Sequence, residues 1–395
     1  GDELMTDELI WSTSNARGTY VRAEESLTDN PNIYTATQNI TAFYIMNELP
    51  ITPIFKAIYG LRYERTDNWI SGYGRLDGEN VNRTIDGEKV LTSNDFLPSL
   101  NLVYNFKENI NFRASYSRTL ARPSFKEKSF VSILDPLSGI RFIGNINLEK
   151  TNVENLDLRY ESFFDNGQMI SVSTFYKHFK NPIEISGFEL EPDDITPRNA
   201  GNAHLVGAEF EFRKNFAFIT PKLEGLSIAT NFTYVKSLID MREIVVAAGN
   251  DGLFGTSDDR TEFQTRSANL RDGESLGNFR SMFGQSPFII NLNLTYSNDS
   301  IGFEANLSYN VQGKRLAVVG IGIRPDVYDQ AFLALNLKIS QKFGKQDRWK
   351  TSLSAQNILG DLKEKLYESY NTASQVFERY NPGRSFSIGI AYLLR

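Results

Sequence analysis

The sequence contains no cysteine and only two histidines among its 395 residues. The absence of cysteine excludes disulfides, thiolate metal sites and a cysteine nucleophile. His178 and His204 are too few and too far apart along the chain to indicate a catalytic triad or a histidine metal site. No Gly-x-Ser-x-Gly elbow occurs in a strand-to-helix context either. We therefore expect no enzyme activity.

Long apolar runs and blocks of basic residues are also missing. Nowhere do 18 apolar residues follow one another, which argues against a transmembrane helix. The start at Gly1 shows neither the basic segment nor the apolar run of a signal peptide. A net charge of −6 without clustered lysine and arginine argues against nucleic-acid binding. A membrane crossing therefore has to use strands closed on themselves, because lipid cannot satisfy an open backbone edge.

Aromatic residues are abundant, with 28 Phe, 18 Tyr and 3 Trp making up 12% of the chain. Phenylalanine and tyrosine favour strands, and they form the belts at both edges of a membrane barrel. The mean hydropathy of −0.35 is that of a soluble protein. A barrel resolves this conflict, because half of the residues in each strand face a polar lumen.

Strict alternation of apolar and polar residues is the dominant pattern. In residues 288–296 every even position is apolar and most odd positions are polar. After a short turn, residues 301–311 alternate with the apolar side chains on odd positions. This pattern predicts a hairpin with one apolar face and one polar face.

The same pattern recurs along the chain and predicts thirteen strands of about ten residues or more, enough for a tilted membrane strand. We place them at 33–46, 53–66, 95–106, 109–119, 152–164, 168–179, 203–214, 225–238, 286–297, 300–312, 330–343, 349–359 and 384–394. Short connections alternate with long ones at 67–94, 120–151, 180–202, 239–285, 313–329 and 360–383. Membrane barrels have this asymmetry between tight periplasmic turns and long external loops, which puts the C-terminus at the periplasmic end.

A soluble all-β sandwich or propeller is the alternative fold. Its charged strand faces would simply be solvated, but its apolar faces would need a second sheet to cover them. The sequence shows neither a second set of strands nor amphipathic helices that could do so. We therefore predict an all-β, antiparallel transmembrane β-barrel.

Several segments, read in order over 95–395, resemble the signatures of TonB-dependent receptors, most closely those of the Bacteroidetes type. They are 116–125 (YSRTLARPSF), Gly144-Asn145 followed by 155–161 (NLDLRYE), 170–177 (ISVSTFYK), 199–211, 356–359 (QNIL) and 382–384 (PGR). The family's prolines are missing near Ile146 and Lys150. The outward-facing series ends at Leu394, with Arg395 after it, where the family has an aromatic residue.

The resemblance implies a 22-stranded barrel closed by an N-terminal plug, through which TonB energises the import of a scarce ligand such as a siderophore, cobalamin, peptide or glycan. On this interpretation residues 33–395 are the last thirteen strands, and 1–32 are an extracellular loop before them. The plug and the other strands would then be part of the same protein, present as a separate clipped chain. Further expected partners are outer-membrane lipid, the TonB complex and a surface lipoprotein.

Inward-facing charges are the candidates for contacts with the plug and for lining a substrate path. They are Arg113, Arg122, Asp157, Arg159, Glu161, Glu209, Glu211 and Arg213. Arg122 precedes Pro123 and can form bidentate pairs, so it either contacts substrate or fixes a loop. The loops 120–151 and 239–285 are the candidates for ligand capture.

Segment 250–259 carries Asp251, Asp258 and Asp259 together with two glycines. Calcium takes oxygen ligands from flexible loops of this kind, so a structural calcium ion is one interpretation and a solvated acidic turn is the other. We expect no other cofactor. A different function, adhesion or secretion by a barrel that imports nothing, stays open and depends on what fills the lumen.

Overall fold

The computed structural model describes residues 33–74, 83–135, 139–188, 194–247 and 256–394, so that segment 1–32 lies outside it. One antiparallel sheet of thirteen long strands, here called the wall, dominates this part of the chain. Its strands are β1 (Tyr34–Thr52), β2 (Phe55–Gly74), β3 (Arg83–Lys107), β4 (Ile110–Ala121), β5 (Thr151–Phe164), β6 (Gln168–Lys180), β7 (Asn202–Asn215), β8 (Leu226–Asp240), β9 (Phe288–Asn298), β10 (Phe303–Gln312), β11 (Phe332–Phe343), β12 (Trp349–Gln356) and β13 (Ser385–Tyr392). The predicted all-β antiparallel fold is confirmed.

Each wall strand pairs with its neighbours in chain order, and the alternation in sequence becomes two faces. On β5 the apolar residues Leu156 and Leu158 are 48% and 53% exposed, whereas Glu161 on the opposite, polar face is 7% exposed. Successive side chains of a strand point to opposite sides, so the period of two in the sequence separates an exposed apolar face from a covered polar face. An ordinary soluble sheet has the reverse arrangement.

The first three strands are longer than the alternation indicates, and the loop placed at 67–94 was wrong. β2 and β3 continue past the predicted boundaries until Gly74 pairs with Arg83. Trp69 pairs with Lys89, whose ammonium lies 5.1 Å from the indole centroid. Such cross-strand aromatic pairs extend a hairpin into a region whose composition otherwise reads as a loop.

The wall ends in two free edges within the described ranges, where β1 pairs with β2 alone and β13 with β12 alone. The outward residues Phe386, Ile388 and Ile390 of β13 are 70% to 79% exposed. No helix in the described segments is long and apolar enough to cross a membrane. The helix α1 (Glu262–Ser267) is short and begins with a capping box, in which Thr261 accepts from Gln264 N.

Aromatic rings form clusters at the end of the wall that carries the short turns. The ring centroid of Phe112 lies 6.3 Å from that of Phe106 and 5.2 Å from that of Tyr160. Trp349 stands between Phe343 and Tyr392 at 6.4 and 4.7 Å. Aromatic belts of this kind mark the interface between lipid and water in membrane barrels.

The long connections fold into additional structure, which the alternation did not predict. One loop sheet contains Ser132–Leu134, Arg141–Ile143, Asp194–Asn199 and Ile183–Gly187, and a second contains Arg315–Val318, Asp326–Asp329, Lys363–Glu368 and Gln375–Tyr380. A two-stranded antiparallel sheet joins Val245–Ala247 to Arg260–Thr261, and Phe279–Arg280 pairs with the end of β8. Single 3-10 turns occupy Asp165–Gly167, Pro221–Leu223 and Lys345–Asp347. We call the two loop sheets, α1 and the segments between them the loop cap.

The two loop sheets join through a pair of backbone hydrogen bonds, and parts of the loop cap share an apolar core with the wall. Gly187 N donates to Val319 O, and Val319 N donates to Ile185 O, each at 2.9 Å. The core contains the wall residues Ala203, Leu205, Val235 and Ile239 and the cap residues Ile244, Val246, Met282, Leu316, Val319 and Ile321. At this end the covered face of the wall is therefore apolar, because the loop cap packs on it in place of water.

Candidate functional site

Arg159 is the centre of an ionic network on the polar face of the wall. Its Nε donates to Glu161 Oε1 at 2.7 Å, Nη1 to Ser173 Oγ at 3.1 Å, and Nη2 to Glu211 Oε2 at 3.0 Å. One planar guanidinium thereby connects β5, β6 and β7, a fork geometry that lysine could not supply.

Two more of the predicted arginines extend this network. Arg113 Nε lies 2.9 Å from Glu161 Oε2, an ion-pair contact without the angle of a hydrogen bond. Arg213 Nη2 donates to Glu211 Oε1 at 2.7 Å. The sequence prediction thus identified five residues that the fold brings together, three arginines and two glutamates. Whether they contact a plug or a substrate stays a prediction.

The other predicted wall residues lie outside that network. Glu209 accepts from Asn231, and the nearest recorded partner of Asp157 is Ser115 Oγ at 3.5 Å. Arg122 lies beyond the point where β3 and β4 separate, and its guanidinium binds Glu64 and donates to Thr66 Oγ1 at 2.9 Å. These bonds tie the end of β4 to β2, and whether Arg122 also contacts substrate stays a prediction.

A second ionic network, which sequence reasoning missed, lies buried inside the loop cap. Arg280 donates from Nη2 to Glu184 at 2.7 Å and from Nε to Glu262 at 2.6 Å. Arg266 Nε lies 2.9 Å from Glu262, and its Nη2 donates to Asp326 at 2.7 Å. Three separate long connections meet at these five side chains. The side chains of Glu262 and Glu184 are 1% and 4% exposed.

The charges of this cap network shift the titration of their neighbours. Burial alone would raise the pKa of Asp326, but the Arg266 guanidinium and the Gly320 amide outweigh it and lower that pKa. Burial, aided by the Asp326 carboxylate, raises the pKa of Tyr328 to about 12. For Arg280, the two carboxylates outweigh burial and raise the pKa. Asp326, Arg266 and Arg280 are therefore charged at neutral pH.

A cleft of about 580 Å³ lies between the two loop sheets. Both loops predicted for ligand capture contribute to it, 120–151 through Phe142 and 239–285 through Phe283. Ile185, Leu316 and residues of the last long connection complete its lining. Its volume lies within the range of about 300–1,000 Å³ that small-molecule sites occupy.

The two histidines meet, contrary to the expectation from their separation in sequence. His178 on β6 and His204 on β7 are paired in register, and their rings stack with centroids 4.9 Å apart. The Tyr176 hydroxyl lies 2.8 Å from His204 Nδ1. Within the described ranges no group of three or more His, Asp or Glu side chains is arranged to hold a metal ion. The two rings form a stacked pair across β6 and β7.

The calcium prediction falls partly on residues outside the structure. Asp251 is not among the described residues, whereas Asp258 accepts from Thr256 Oγ1 at 2.8 Å. Asp259 lies beside them in the same turn. A structural calcium ion at 250–259 therefore stays a prediction.

The comparisons with known proteins agree with this architecture. A family model described as TonB dependent receptor-like, beta-barrel, matches residues 5–358. No curated protein matches the chain. Similar solved structures include the siderophore receptor PiuA from Acinetobacter baumannii, with TM-score 0.60, 12% identity, and coverage of 91% of this chain and 44% of that one.

Two further solved structures have the same fold. For the copper transporter OprC the TM-score is 0.58 at 13% identity, with 90% of this chain and 48% of that chain covered. For the ferric yersiniabactin uptake receptor FyuA from Yersinia pestis it is 0.54 at 16% identity, with 91% and 46% covered. The chain thus spans about half the length of these proteins, and at such identities the likeness shows the fold alone.

Proposed function

The chain belongs to the TonB-dependent receptor-like β-barrel family, and on that premise we propose that it forms part of an outer-membrane transporter that imports a scarce ligand. The wall would stand in the outer membrane with its short turns in the periplasm and the loop cap outside. A plug would fill the lumen, and TonB would act through that plug.

The loop cap and its cleft are the observation that carries this proposal. Five long connections fold together over one end of the wall and line a cleft of about 580 Å³, and three of them share an apolar core with the wall. Solvated loops with no ligand to hold have no need of a buried core. A preformed concave site above a lumen is what capture before import requires.

The network around Arg159 has a part in the same proposal. Its three arginines and two glutamates line the polar face of β4 to β7, where a plug would press against the wall. Charged hydrogen bonds of this kind can hold a plug in one position, and they can exchange partners with it when TonB pulls. The ligand would then pass along the same polar face.

Import can be tested before the ligand is known. We would grow three strains on one complex medium: the native strain, a strain lacking this receptor, and a strain lacking TonB. Mass spectrometry of the spent media would then compare which compounds disappear. The proposal expects at least one compound that is depleted only when both the receptor and TonB are present.

A receptor variant provides the matched control. Arg379→Met removes the ion pair between the exposed Arg379 and Glu364 in the second loop sheet and should leave uptake unchanged. If no compound depends on both the receptor and TonB, the import proposal is wrong. Adhesion or secretion by a barrel that imports nothing would then be the function to examine.

A further inference from the structure

We propose that the cleft in the loop cap binds a short peptide with apolar side chains. This inference rests on the proposed import function and deepens it by naming the substrate class. Two rows of residues, one on each loop sheet, carry the argument.

The first row is apolar and crosses the first loop sheet in register. Ile133 pairs with Phe142, and Phe142 pairs with Ile195, so that their side chains lie side by side on one face. All three line the cleft, together with Phe283 and Phe377. Ile133 is 37% exposed although it is a large apolar residue. A surface of this kind gains free energy when an apolar ligand covers it.

The second row is a ladder of alternating charge across the second loop sheet. Arg315 pairs with Asp329, Asp329 with Lys365, and Lys365 with Glu378. Arg315 Nη2 donates to Asp329 Oδ2 at 2.7 Å, and Lys365 Nζ donates to Glu378 Oε2 at 2.5 Å. All four residues line the cleft. This side of the cleft therefore offers cations and carboxylates in turn.

The charges of the described residues that line the cleft balance. Besides the ladder, the lining includes Lys126 and Asp135, so three cations face three carboxylates. Lys126 Nζ lies 4.3 Å from the centroid of Phe142. From these described residues a polyanionic chelate would meet no net positive charge, and three carboxylates would repel it.

A peptide matches both rows at once. Its apolar side chains can cover the row that contains Phe142, while its ammonium and carboxylate termini exchange partners with the ladder. The volume of the cleft is sufficient for a peptide of a few residues. The charges of the ladder are already paired, so a ligand that carries both signs can replace a partner without leaving an uncompensated charge.

Calorimetry on the intact receptor in detergent tests this inference. The probe is the tetrapeptide Leu-Phe-Val-Leu with free termini, and the comparison probes are Ser-Asn-Gln-Ser and ferric citrate. We expect the apolar peptide to bind and the two comparison probes to bind at least tenfold more weakly. Phe142→Ala should weaken peptide binding about tenfold or more, because it removes most of an apolar contact surface.

Two further variants protect this test from a folding artefact. Phe142→Leu keeps an apolar side chain and should retain most of the affinity. Phe218→Ala removes an exposed aromatic residue from a short turn at the opposite end of the wall and should change nothing. Binding of ferric citrate in place of the peptide, or unchanged peptide affinity in Phe142→Ala, would overturn the inference.

The outcome can be separated from that of the import proposal. If the compound depleted through TonB is not a peptide, import stands and the peptide site is wrong. If the tetrapeptide binds in the cleft but no compound is depleted through TonB, the site stands and import is wrong.

Discussion

Replacing Arg280 by methionine is expected to open the loop cap without disturbing the wall. The side chain of Arg280 is 10% exposed, and its guanidinium contacts Glu184 and Glu262, which are 4% and 1% exposed. Methionine has a similar length but no charge. After the substitution Glu184 still accepts a hydrogen bond from the Phe283 amide, and Glu262 still forms an ion pair with Arg266. Both carboxylates lose their bond to Arg280.

The magnitude follows from the burial of these carboxylates. Removing one partner of a buried ionic group costs about 3–5 kcal/mol, because an uncompensated charge stays away from water. At about 1.4 kcal/mol for each factor of ten, the cap should open about a hundredfold to several thousandfold more often. Strands β5 and β6 lie outside the network and should keep their stability, whereas Arg280 itself pairs with the end of β8.

Hydrogen exchange measured by mass spectrometry on the receptor in detergent gives the opening free energy of each segment. Exchange should accelerate in α1, in Ile183–Gly187 and in Arg315–Val318, and should stay unchanged in β5 and β6.

Two comparison variants determine the interpretation. Arg379→Met removes a pair whose arginine is 54% exposed and should cost less than about 1 kcal/mol. The triple variant Arg280→Met, Glu184→Gln and Glu262→Gln leaves no unpaired charge, so it should recover much of the lost stability. Equal exchange in Arg280→Met and Arg379→Met would refute the reasoning, as would a triple variant less stable than the single one.

Three other predictions concern the loops. Burial lowers the pKa of Lys128 from 10.5 to about 8, so between these pH values the unfolded chain binds more protons than the folded chain. The cap should therefore gain stability as pH rises from about 8 to 10.5. Hydrogen exchange should show this dependence in the native protein and not in Lys128→Met. Because the folded cap lowers the pKa of Asp326, the ionised carboxylate stabilises the cap at neutral pH, and this contribution should be lost as pH falls below about 3.8. The Asp326→Asn variant should lack this acid-dependent loss. A methyl group at Gly144 would lie 2.4 Å from Ser129 O, so Gly144→Ala should cost about 1–3 kcal/mol in thermal unfolding, whereas Gly277→Ala has room and should be neutral.

The wall could be predicted from the sequence because its information is local. Alternation over ten residues determines which face of a strand is apolar and exposed, as Leu156 and Leu158 show, and all thirteen predicted strands are found. The network around Arg159 follows from the same parity, since residues on one face of adjacent strands must meet. Its partners also depend on register, which a single strand does not encode.

The loop cap could not be predicted because its contacts are not local. Its strands are mostly three to six residues long, too short for alternation to stand out. Arg280 and Glu184 are 96 residues apart and meet only when two long connections have folded against each other. The same holds for His178 and His204, whose contact depends on the pairing of β6 with β7. The alternation of apolar and polar residues within Ile183–Gly187 is a local signal that could have indicated one of these strands.

Cysteine labelling along β5 tests the central claim most directly, and this chain contributes no native cysteine that would interfere. Single variants Leu158→Cys and Arg159→Cys would be made in the intact receptor and reconstituted into vesicles that contain a nitroxide-labelled lipid. A fluorophore at position 158 should be quenched by the nitroxide-labelled lipid and protected from aqueous iodide. A fluorophore at position 159 should not be quenched by that lipid, because its side chain points away from the acyl chains. Equal quenching by lipid at both positions, or the reverse pattern, would contradict a wall that separates membrane from lumen.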